Sequence, residues 1–301
     1  MNGLITDKWL RIPWVHRLFV LTGVRYMYRL AQRLFLFMRY GNSKKLHIGD
    51  LKVKFWTKDE VSKRIFNDKY WFGELHEKEV TLHMIDSVRN CRCLVDVGAN
   101  LGFYSVLWAK LTEKCGGVVH AIEMDGDNLN RLKKTVRLNN IANIVPHQLA
   151  IGHRNGMAEY YLRGSALNSL KVGDSCSSFG KARVEMSTLD AFTKRNGLDP
   201  DVVKIDVEGA EFLVLSGMKR LLQKDNLKVY CEIHLHKGIG SLCSFGHTVK
   251  DLFELFRKNG FQMKLLRLRS DSLYKERIIQ SAEEITESSM IFAWKNAKPG
   301  V

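Results

Sequence analysis

The sequence predicts an α/β fold in which helices cover both faces of a mostly parallel β-sheet. From about residue 91, short apolar runs alternate with amphipathic segments of helical period, and this order is typical of such a sheet. The strand-like runs are CLVDVG, VVHAIEM, NIVPHQLAIG, VVKIDVEG and KVYCEIHL. Two further apolar runs, FQMKLLRL and SSMIFAWK, have a short polar segment between them and predict a C-terminal antiparallel hairpin.

The segment before this core has elements of its own. Over 51–55, apolar side chains alternate with lysines, which is the period of a half-buried strand. A helical pattern follows over about 74–88. We therefore divide the chain into a basic, aromatic-rich helical segment at 1–45, a strand and helix at 46–90, and the main domain at 91–301.

Within the main domain, helical segments follow the strands. FYSVLWAKL comes after the first strand and NLNRLKKTVRL after the second. Later amphipathic stretches predict helices over about 213–222 and 248–258. Helices between successive strands are the crossovers that a parallel sheet requires.

Residues 1–45 differ from the rest of the chain in composition, with nine basic residues and one acid interleaved with aromatic and leucine side chains. The basic residues are Lys8, Arg11, Arg17, Arg25, Arg29, Arg33, Arg39, Lys44 and Lys45. No apolar run reaches the roughly 18 residues of a transmembrane helix, and no signal-peptide cleavage site is evident. A helix over 14–38 would place four arginines within an arc of about 160°. Such a helix either lies on an anionic membrane surface or packs on its own domain.

The overall charge favours an anionic partner. Lys plus Arg number 47 against 32 Asp plus Glu, which gives a formal charge of +15 and a pI near 9.5. Nucleic acid and anionic lipid are the two candidates. The six cysteines show no CxxC pair, which favours reduced thiols over a zinc site or a disulfide framework. We therefore expect a cytoplasmic protein that associates peripherally with a membrane if the N-terminal helix docks there.

A glycine turn follows the first core strand in LVDVGANLGFYS. Gly98 and Gly102 bracket a turn that leads into a helix, where backbone can approach a ligand and the helix N-terminus can face its negative group. Asn100 occupies the place of the second close glycine of a dinucleotide fingerprint. Asp96 precedes the turn, and Glu123 ends the second strand, where an acid can hold both ribose hydroxyls. This order of elements predicts an adenosine-binding site.

Together with other motifs, this turn resembles one protein family. DVGANLGFYS, AIEMDGDNLNRL, LNNIANI, LAIG, STLDAF, VKIDVEGAEFLVLSGM and CEIHL occur in this order between about residues 90 and 260. They are similar to motifs of the FkbM family of S-adenosylmethionine-dependent methyltransferases. The resemblance implies a Rossmann-like class I methyltransferase sheet and methyl transfer to a hydroxyl oxygen, often on a sugar or a secondary-metabolite scaffold. The predicted cofactor-binding residues are Asp96, Gly98, Asn100, Gly102, Glu123 and Asp206.

The stretch VVKIDVEGAE places three carboxylates within six residues. In an open parallel sheet the ligand crevice lies beyond the carboxyl ends of the strands, so we expect Asp206 beside the methyl donor. Asp206 and Glu208 are predicted to share one side of an extended backbone. Glu211 falls in the first turn of the next helix, where an acid favours the helix dipole. Lys204 is expected to neutralise one of these acids.

The run CEIHLH supplies candidates for catalysis. A neutral hydroxyl is a poor nucleophile, so its proton must be removed as the bond to methyl forms. Glu232, His234 and His236 alternate along one face of the strand. An imidazole with an ordinary pKa of about 6.5 suits a base near neutral pH. We predict Asp206 and His234 as catalytic residues, and either of them is a candidate for the base.

Metal ions are the less favoured alternatives. Asp206, Glu208 and Glu232 could offer oxygens to a magnesium ion, which would orient a vicinal diol and lower the pKa of a hydroxyl. His234, His236 and Glu232 have the composition of a two-histidine, one-carboxylate iron site. That site is disfavoured because all three lie on one strand.

Three function classes follow from these observations. The leading one is an O-methyltransferase that acts on a glycan, glycolipid or small molecule. An RNA 2′-O-methyltransferase is the enzyme alternative, and a membrane-docked S-adenosylmethionine-binding protein without catalysis is the non-enzyme alternative. Nucleic acid is disfavoured because acids at the mouth of the site repel phosphates. The acceptor pocket is expected to come from 157–185 together with the N-terminal segment.

Overall fold

The computed structural model describes residues 43–69, 76–162, 169–170, 180–235, 240–268 and 276–295. The predicted helix over 14–38 lies outside these ranges, as do His236 and residues 163–168 and 171–179 of the expected acceptor region. Among the helices of the described ranges, none is both long and apolar enough to cross a bilayer. The five described cysteines are free thiols.

Fourteen strands and seven α-helices make up the described part of the chain. The strands are β1 Ser43–Ile48, β2 Leu51–Trp56, β3 Cys93–Val97, β4 Val118–Glu123, β5 Ile144–Gln148, β6 Ala150–Ile151, β7 Gly156–Leu162, β8 Ser169–Leu170, β9 Gly180–Ser187, β10 Val202–Ile205, β11 Lys228–Ile233, β12 Gln262–Leu266, β13 Arg277–Ile279 and β14 Ser289–Trp294. The helices are α1 Glu60–Lys69, α2 Lys78–Val88, α3 Phe103–Thr112, α4 Gly126–Leu138, α5 Leu189–Arg195, α6 Glu211–Ser216 and α7 Val249–Lys258.

The main sheet has eight strands in the order β13-β12-β14-β11-β10-β3-β4-β5. The five strands from β11 to β5 are parallel. β14 inserts antiparallel between β11 and β12, so the predicted terminal hairpin is confirmed. The mostly parallel sheet, with helices on both faces, is the predicted Rossmann-like class I methyltransferase fold.

Two apolar cores hold the helices against this sheet. α5, α6 and α7 pack on one face, and α2, α3, α4 and β2 pack on the other. The central strands β3 and β10 are buried on both faces, which explains why they read as continuous apolar runs rather than alternating ones. Each fully buried Val, Leu or Ile side chain contributes roughly 1.5–3 kcal/mol.

The strand order of the sheet reverses beside β3. From there the sheet continues through β4 and β5 on one side and through β10 and β11 on the other. Ligands of open α/β sheets bind at such a switch point, beyond the carboxyl ends of the strands. The glycine turn after β3 and the acids after β10 therefore meet at one place.

The segment before the core agrees with the pattern in part. The predicted strand over 51–55 is β2, with Val53 and Phe55 buried. It forms a hairpin with β1, which the periodicity did not predict. The helix predicted to start near residue 74 is α2, which begins at Lys78. The proposed division of the chain into three segments stays a prediction.

Three other predictions are corrected. NIVPHQLAIG splits into β5 and β6, and β6 joins a second sheet of order β6-β9-β7-β8, so the described part of 157–185 is largely strand. The helix predicted over 213–222 ends at Ser216. Gly217 follows, and a Cβ there would lie 2.2 Å from the backbone oxygen of Gly152. The backbone after β10 is not extended as far as Glu208, which has a left-handed φ of 52°.

Candidate functional site

A cavity lies at the switch point, where β3, β4, β10 and β11 end. It is partly open to solvent, and the space within it, including the open mouth, is about 750 Å³. Most of the predicted site residues line it, namely Gly98, Asn100, Glu123, Asp206, Glu208, Glu232 and His234. Leu170 of β8 contributes to the wall, as expected of the region 157–185.

The glycine turn joins three strands. Gly98 has a φ of 78°, and a Cβ at this position would lie 1.8 Å from the backbone oxygen of Asp206. The backbone N–H groups of Gly98 and Ala99 both donate to the carbonyl of Ile122, at 3.0 and 2.9 Å. Glycine is required at position 98 because the turn packs directly on the chain that leaves β10.

Asn100 lies at the tip of this turn in a left-handed conformation, with φ 51°. Its backbone N–H donates to Oε2 of Glu123 at 2.8 Å. Its side-chain Oδ1 is buried and has no hydrogen-bond partner among the described residues. A buried acceptor that lines a cavity is costly to leave unpaired, so Asn100 fits a bound ligand that offers a donor here.

Glu123 ends β4, as predicted. Its Oε1 accepts from the backbone N–H of Asp125 at 2.8 Å, while Oε2 accepts from Asn100. Burial raises the pKa of Glu123 to about 7. Each oxygen keeps a further lone pair, so the carboxylate fits the expected contact with two ribose hydroxyls.

Two predicted cofactor-binding residues do not line the cavity. Asp96 is buried, accepts from Ser105 Oγ at 2.6 Å, and lies 3.5 Å from Lys204 Nζ. Gly102 starts α3 with φ 84°, and a Cβ there would lie 2.7 Å from Cγ of Leu132. The described contacts of both residues are packing contacts and hydrogen bonds within the protein.

Lys204 is the predicted partner of the acids. Its Nζ lies 3.1 Å from Oδ2 of Asp206, and the side chain is buried. Although burial opposes the charge, the carboxylates of Asp206 and Asp96 raise the pKa of Lys204. Lys204 is therefore a buried cation beneath the cavity that pairs with Asp206.

His234 is positioned by Glu211, a residue that the sequence did not assign to the site. Its Nδ1 lies 2.8 Å from Oε1 of Glu211, and the same oxygen accepts from the backbone N–H of Gly209 at 2.9 Å. Glu211 is fully buried at the start of α6. Its position favours the helix dipole, as predicted, and the contact with His234 is an addition that no local motif encodes.

The other ring nitrogen of His234 faces three carboxylates. Nε2 lies 3.4 Å from Glu232 Oε1 and 3.9 Å from both Asp206 Oδ1 and Glu208 Oε2. Burial opposes a charge on the ring, but Glu211 and Glu232 raise the pKa of His234 well above its usual value. These carboxylates therefore favour the charged form of the ring more than in an ordinary imidazole, whose pKa is near 6.5.

Glu232 emerges as a further candidate base. Burial and the neighbouring charge of Asp206 raise the pKa of this carboxyl well above its usual range. A carboxylate with a raised pKa accepts a proton more readily near neutral pH. The sequence indicated Glu232 as one of the candidates in CEIHLH and as a metal ligand, but Asp206 and His234 were preferred as catalytic residues because spacing along a strand does not reveal burial.

The described residues that could hold a metal ion differ from those expected. Asp206, Glu232 and His234 each offer one ligand atom, and these atoms lie within 4.8 Å of one another. Glu208 belonged to the predicted set, and His234 did not. The set combines two carboxylates with an imidazole, whereas magnesium prefers oxygen ligands alone.

Glu77, which no motif indicated, also lines the cavity. It precedes α2 with a left-handed φ of 43°. Tyr104 donates its hydroxyl to Oε2 of Glu77 at 2.6 Å. Within the described ranges, four non-glycine residues have a positive φ, and three of them, Glu77, Asn100 and Glu208, line this one cavity. Clustered backbone strain of this kind is typical of functional sites.

One comparison with known proteins identifies a family. The Methyltransferase FkbM domain family matches residues 96–263, more than half of the chain. No curated protein matches the sequence.

Solved structures were also compared. A methyltransferase FkbM from Methylobacillus flagellatus KT is 17% identical with a TM-score of 0.42, over 68% of this chain and 44% of that one. A putative O-methyltransferase from Klebsiella pneumoniae is 10% identical with a TM-score of 0.46, over 79% and 91% of the two chains. A SAM-dependent methyltransferase from Agrobacterium tumefaciens is 11% identical with a TM-score of 0.47, over 85% and 70%. The chain thus spans less than half of the Methylobacillus protein.

Proposed function

The chain belongs to the FkbM family of methyltransferases, and on that premise we propose that it transfers a methyl group from S-adenosylmethionine to a hydroxyl of a glycan, glycolipid or small-molecule acceptor. One observation carries the proposal. The cavity is lined by two groups of residues, which we call the acid end (Asp206, Glu232 and the Nε2 face of His234) and the glycine-turn end (Gly98, Asn100 and Glu123).

The cofactor end has the groups that an adenosyl ligand needs. Glu123 would accept from the ribose hydroxyls, and the buried Oδ1 of Asn100 would accept from a donor on the ligand. When bound, the cofactor supplies an electrophilic methyl group on a sulfonium.

The acid end has the groups that an attacking hydroxyl needs. Asp206 or Glu232 would take the proton of the acceptor hydroxyl as its oxygen accepts the methyl group, with the donor leaving as the neutral thioether. The imidazolium of His234, held by Glu211 at 2.8 Å, would orient the acceptor and the carboxylates through its Nε2 proton. Positioning and proton removal are the two contributions that this reaction needs from the protein.

Hydroxyl-rich acceptors fit this end of the cavity. Ionised carboxylates are acceptors only, so they bind ligands that donate, and hydroxyl groups do so. An RNA 2′-hydroxyl has the same chemistry, but its flanking phosphates would meet Asp206, Glu208 and Glu232. We therefore retain RNA as the second candidate rather than the first.

A turnover assay tests the proposal directly. The protein is incubated with S-adenosylmethionine and a panel of glycan, glycolipid, small-molecule and RNA acceptors, and S-adenosylhomocysteine is quantified. We expect release that depends on a hydroxyl-bearing acceptor in the parent and is lost in Asp206→Asn. Cofactor binding without turnover on any class would favour the non-catalytic alternative.

Chelation separates direct base catalysis from the magnesium alternative. If Asp206, Glu232 and His234 bind a catalytic ion, a chelator abolishes turnover and added magnesium restores it. Direct proton transfer to a carboxylate predicts turnover that does not respond to chelator. The same assay on the parent enzyme therefore decides between the two.

A further inference from the structure

One face of the β1–β2 hairpin is strongly basic. Residues directly opposite each other in an antiparallel pair point to the same side, and the pairs Lys45–Lys54 and His47–Lys52 follow one another along this hairpin. Trp56 continues the same face, because it is two residues beyond Lys54. We call Lys45, His47, Lys52, Lys54 and Trp56 the hairpin face.

The basic residues of the hairpin face repel one another and contribute nothing to the apolar core. All of its basic side chains are exposed, whereas Val53 and Phe55 on the opposite side are buried in the core. Like charges directly opposite each other across a hairpin are destabilising. Among the described residues, Lys45, Lys52 and Lys54 make no ion pair at 4.0 Å or less.

α4 extends the hairpin face and fixes its orientation. Lys134 Nζ lies 4.1 Å from the ring centroid of Trp56, and the exposed Arg137 is one helical turn further on. The side chain of Asn139 clamps the backbone of Lys54, with its Oδ1 accepting from the Lys54 N–H at 2.8 Å and its Nδ2 donating to the carbonyl at 2.6 Å. The basic surface is thus rigidly attached to the main domain.

We propose that the hairpin face, with Lys134 and Arg137, binds the surface of an anionic membrane. The sequence of 1–42, which enters the hairpin directly, has seven basic residues, one acid and many aromatic and leucine side chains. That composition is typical of segments at a lipid interface. The lysines of the hairpin face follow this segment directly in the sequence and add to its positive charge.

Lipid is favoured over nucleic acid by the nature of the aromatic groups. Single-stranded nucleic acid is bound on exposed aromatic rings between basic side chains. The hairpin face offers one ring, that of Trp56, and Lys134 lies over it. Lysines that present point charges on a flat surface suit lipid headgroups instead.

Vesicle co-sedimentation of the full-length protein tests the proposal. Lys52→Glu with Lys54→Glu is compared with Lys194→Glu plus Lys258→Glu, whose positions are exposed on helices at the opposite face of the sheet. Both double variants change the formal charge from +15 to +11, because each replacement removes two charges. On phosphatidylcholine vesicles containing phosphatidylserine, we expect the hairpin variant to bind about 30-fold more weakly than the parent and the control to change little.

Several outcomes would overturn the proposal. Equal loss in the two double variants would show that net charge alone matters, and no loss in either would assign any binding to other segments. Equal binding to pure phosphatidylcholine would exclude charge recognition. Absent vesicle binding together with a hairpin-dependent affinity for RNA would make the face a nucleic-acid surface. Circular dichroism verifies folding, and Lys52→Gln with Lys54→Gln replaces the hairpin variant if it does not fold.

Discussion

The two ends of the cavity are built by different means. At the glycine-turn end, the functional groups are fixed by backbone hydrogen bonds, since Glu123 accepts from the N–H groups of Asn100 and Asp125. At the acid end, side chains hold one another through charge, as His234 does with Glu211 and Glu232. The first arrangement fixes shape, whereas the second also fixes protonation.

This difference predicts which substitutions matter most. Replacing a group at the acid end alters the charge state of its neighbours, because the carboxylates and the imidazole titrate together. Replacing a group at the glycine-turn end removes local contacts and leaves the charges elsewhere unchanged. The predictions below test this contrast.

The largest effect is expected from the catalytic pair. Asp206→Asn and His234→Gln should each lower turnover by roughly 10² to 10⁴, because both groups orient the acceptor or take up its proton. Calorimetry should show cofactor affinity changed less than about threefold, because the ribose hydrogen bonds are assigned to Glu123 and not to these two side chains. The double variant should be little slower than the worse single one.

Full activity in both single variants would remove the catalytic assignment. A large loss of cofactor affinity would instead show that the two ends do not act separately. The matched control is Glu254→Gln, an exposed carboxylate of α7 that lies outside the cavity.

The second effect concerns Glu211, which acts through His234. Glu211→Gln keeps the shape but removes the charge, so the pKa of His234 should fall and turnover should decrease by about 10- to 100-fold. NMR titration of His234 in the parent and the variant measures the pKa directly, without a methyl acceptor. An unchanged titration would show that Glu211 only caps α6.

The same pair predicts a pH dependence of stability. The folded pKa of His234 is raised, so its contribution is fully present below the unfolded pKa of about 6.5 and is lost as pH rises through the folded pKa. Urea denaturation of the parent should show this loss at alkaline pH. The loss of stability should be smaller in Glu211→Gln, because the folded pKa of His234 then lies closer to its unfolded pKa.

Site features that depend on neighbouring residues in the chain could be predicted from the sequence, whereas those that depend on distant residues could not. The need for glycine at position 98 and for an acid at position 123 follows from a turn and a strand end, and both were predictable. The ion pair between Lys204 and Asp206 was also predictable, because residues two positions apart lie on the same side of a strand. These contacts are set by short-range geometry.

The remaining features depend on distant parts of the chain. Glu211 meets His234 only because α6 and the end of β11 pack together, and Glu77 reaches the cavity from outside the matched family region. The raised pKa of His234 follows from the burial of several acids around one ring, which spacing along a strand does not show. The extra edge strand β13 is short and mostly exposed, so its periodicity is weak.

The third effect is at the glycine-turn end and is expected to be smaller. Glu123→Gln should weaken cofactor binding by about 1 to 2 kcal/mol, because a neutral amide accepts ribose hydrogen bonds less strongly than a carboxylate. The parent should bind more tightly as pH rises through about 7, where the buried Glu123 ionises. Calorimetry at pH 6 and pH 8 checks both statements.

Glu113→Gln is the control for this prediction, as Glu113 is an exposed acid after α3. Its affinity should match the parent at both pH values. If Glu123→Gln keeps the parent's affinity and pH dependence, the ribose assignment is wrong.

The smallest effect compares one backbone conformation at the two ends. Asn100 and Glu208 have nearly the same left-handed φ, 51° and 52°. Asparagine adopts this region more readily than glutamate does. Asparagine is several-fold enriched there, which corresponds to about 0.5–1 kcal/mol. Glu208→Asn should therefore raise the free energy of unfolding by about that amount while lowering turnover, and Asn100→Gly should change stability little. Thermal denaturation should show a rise of about 1–4 °C for Glu208→Asn. A fall would mean that the attraction between Glu208 and His234 at 3.9 Å outweighs the strain, so that charge stabilises the acid end even where the backbone is strained.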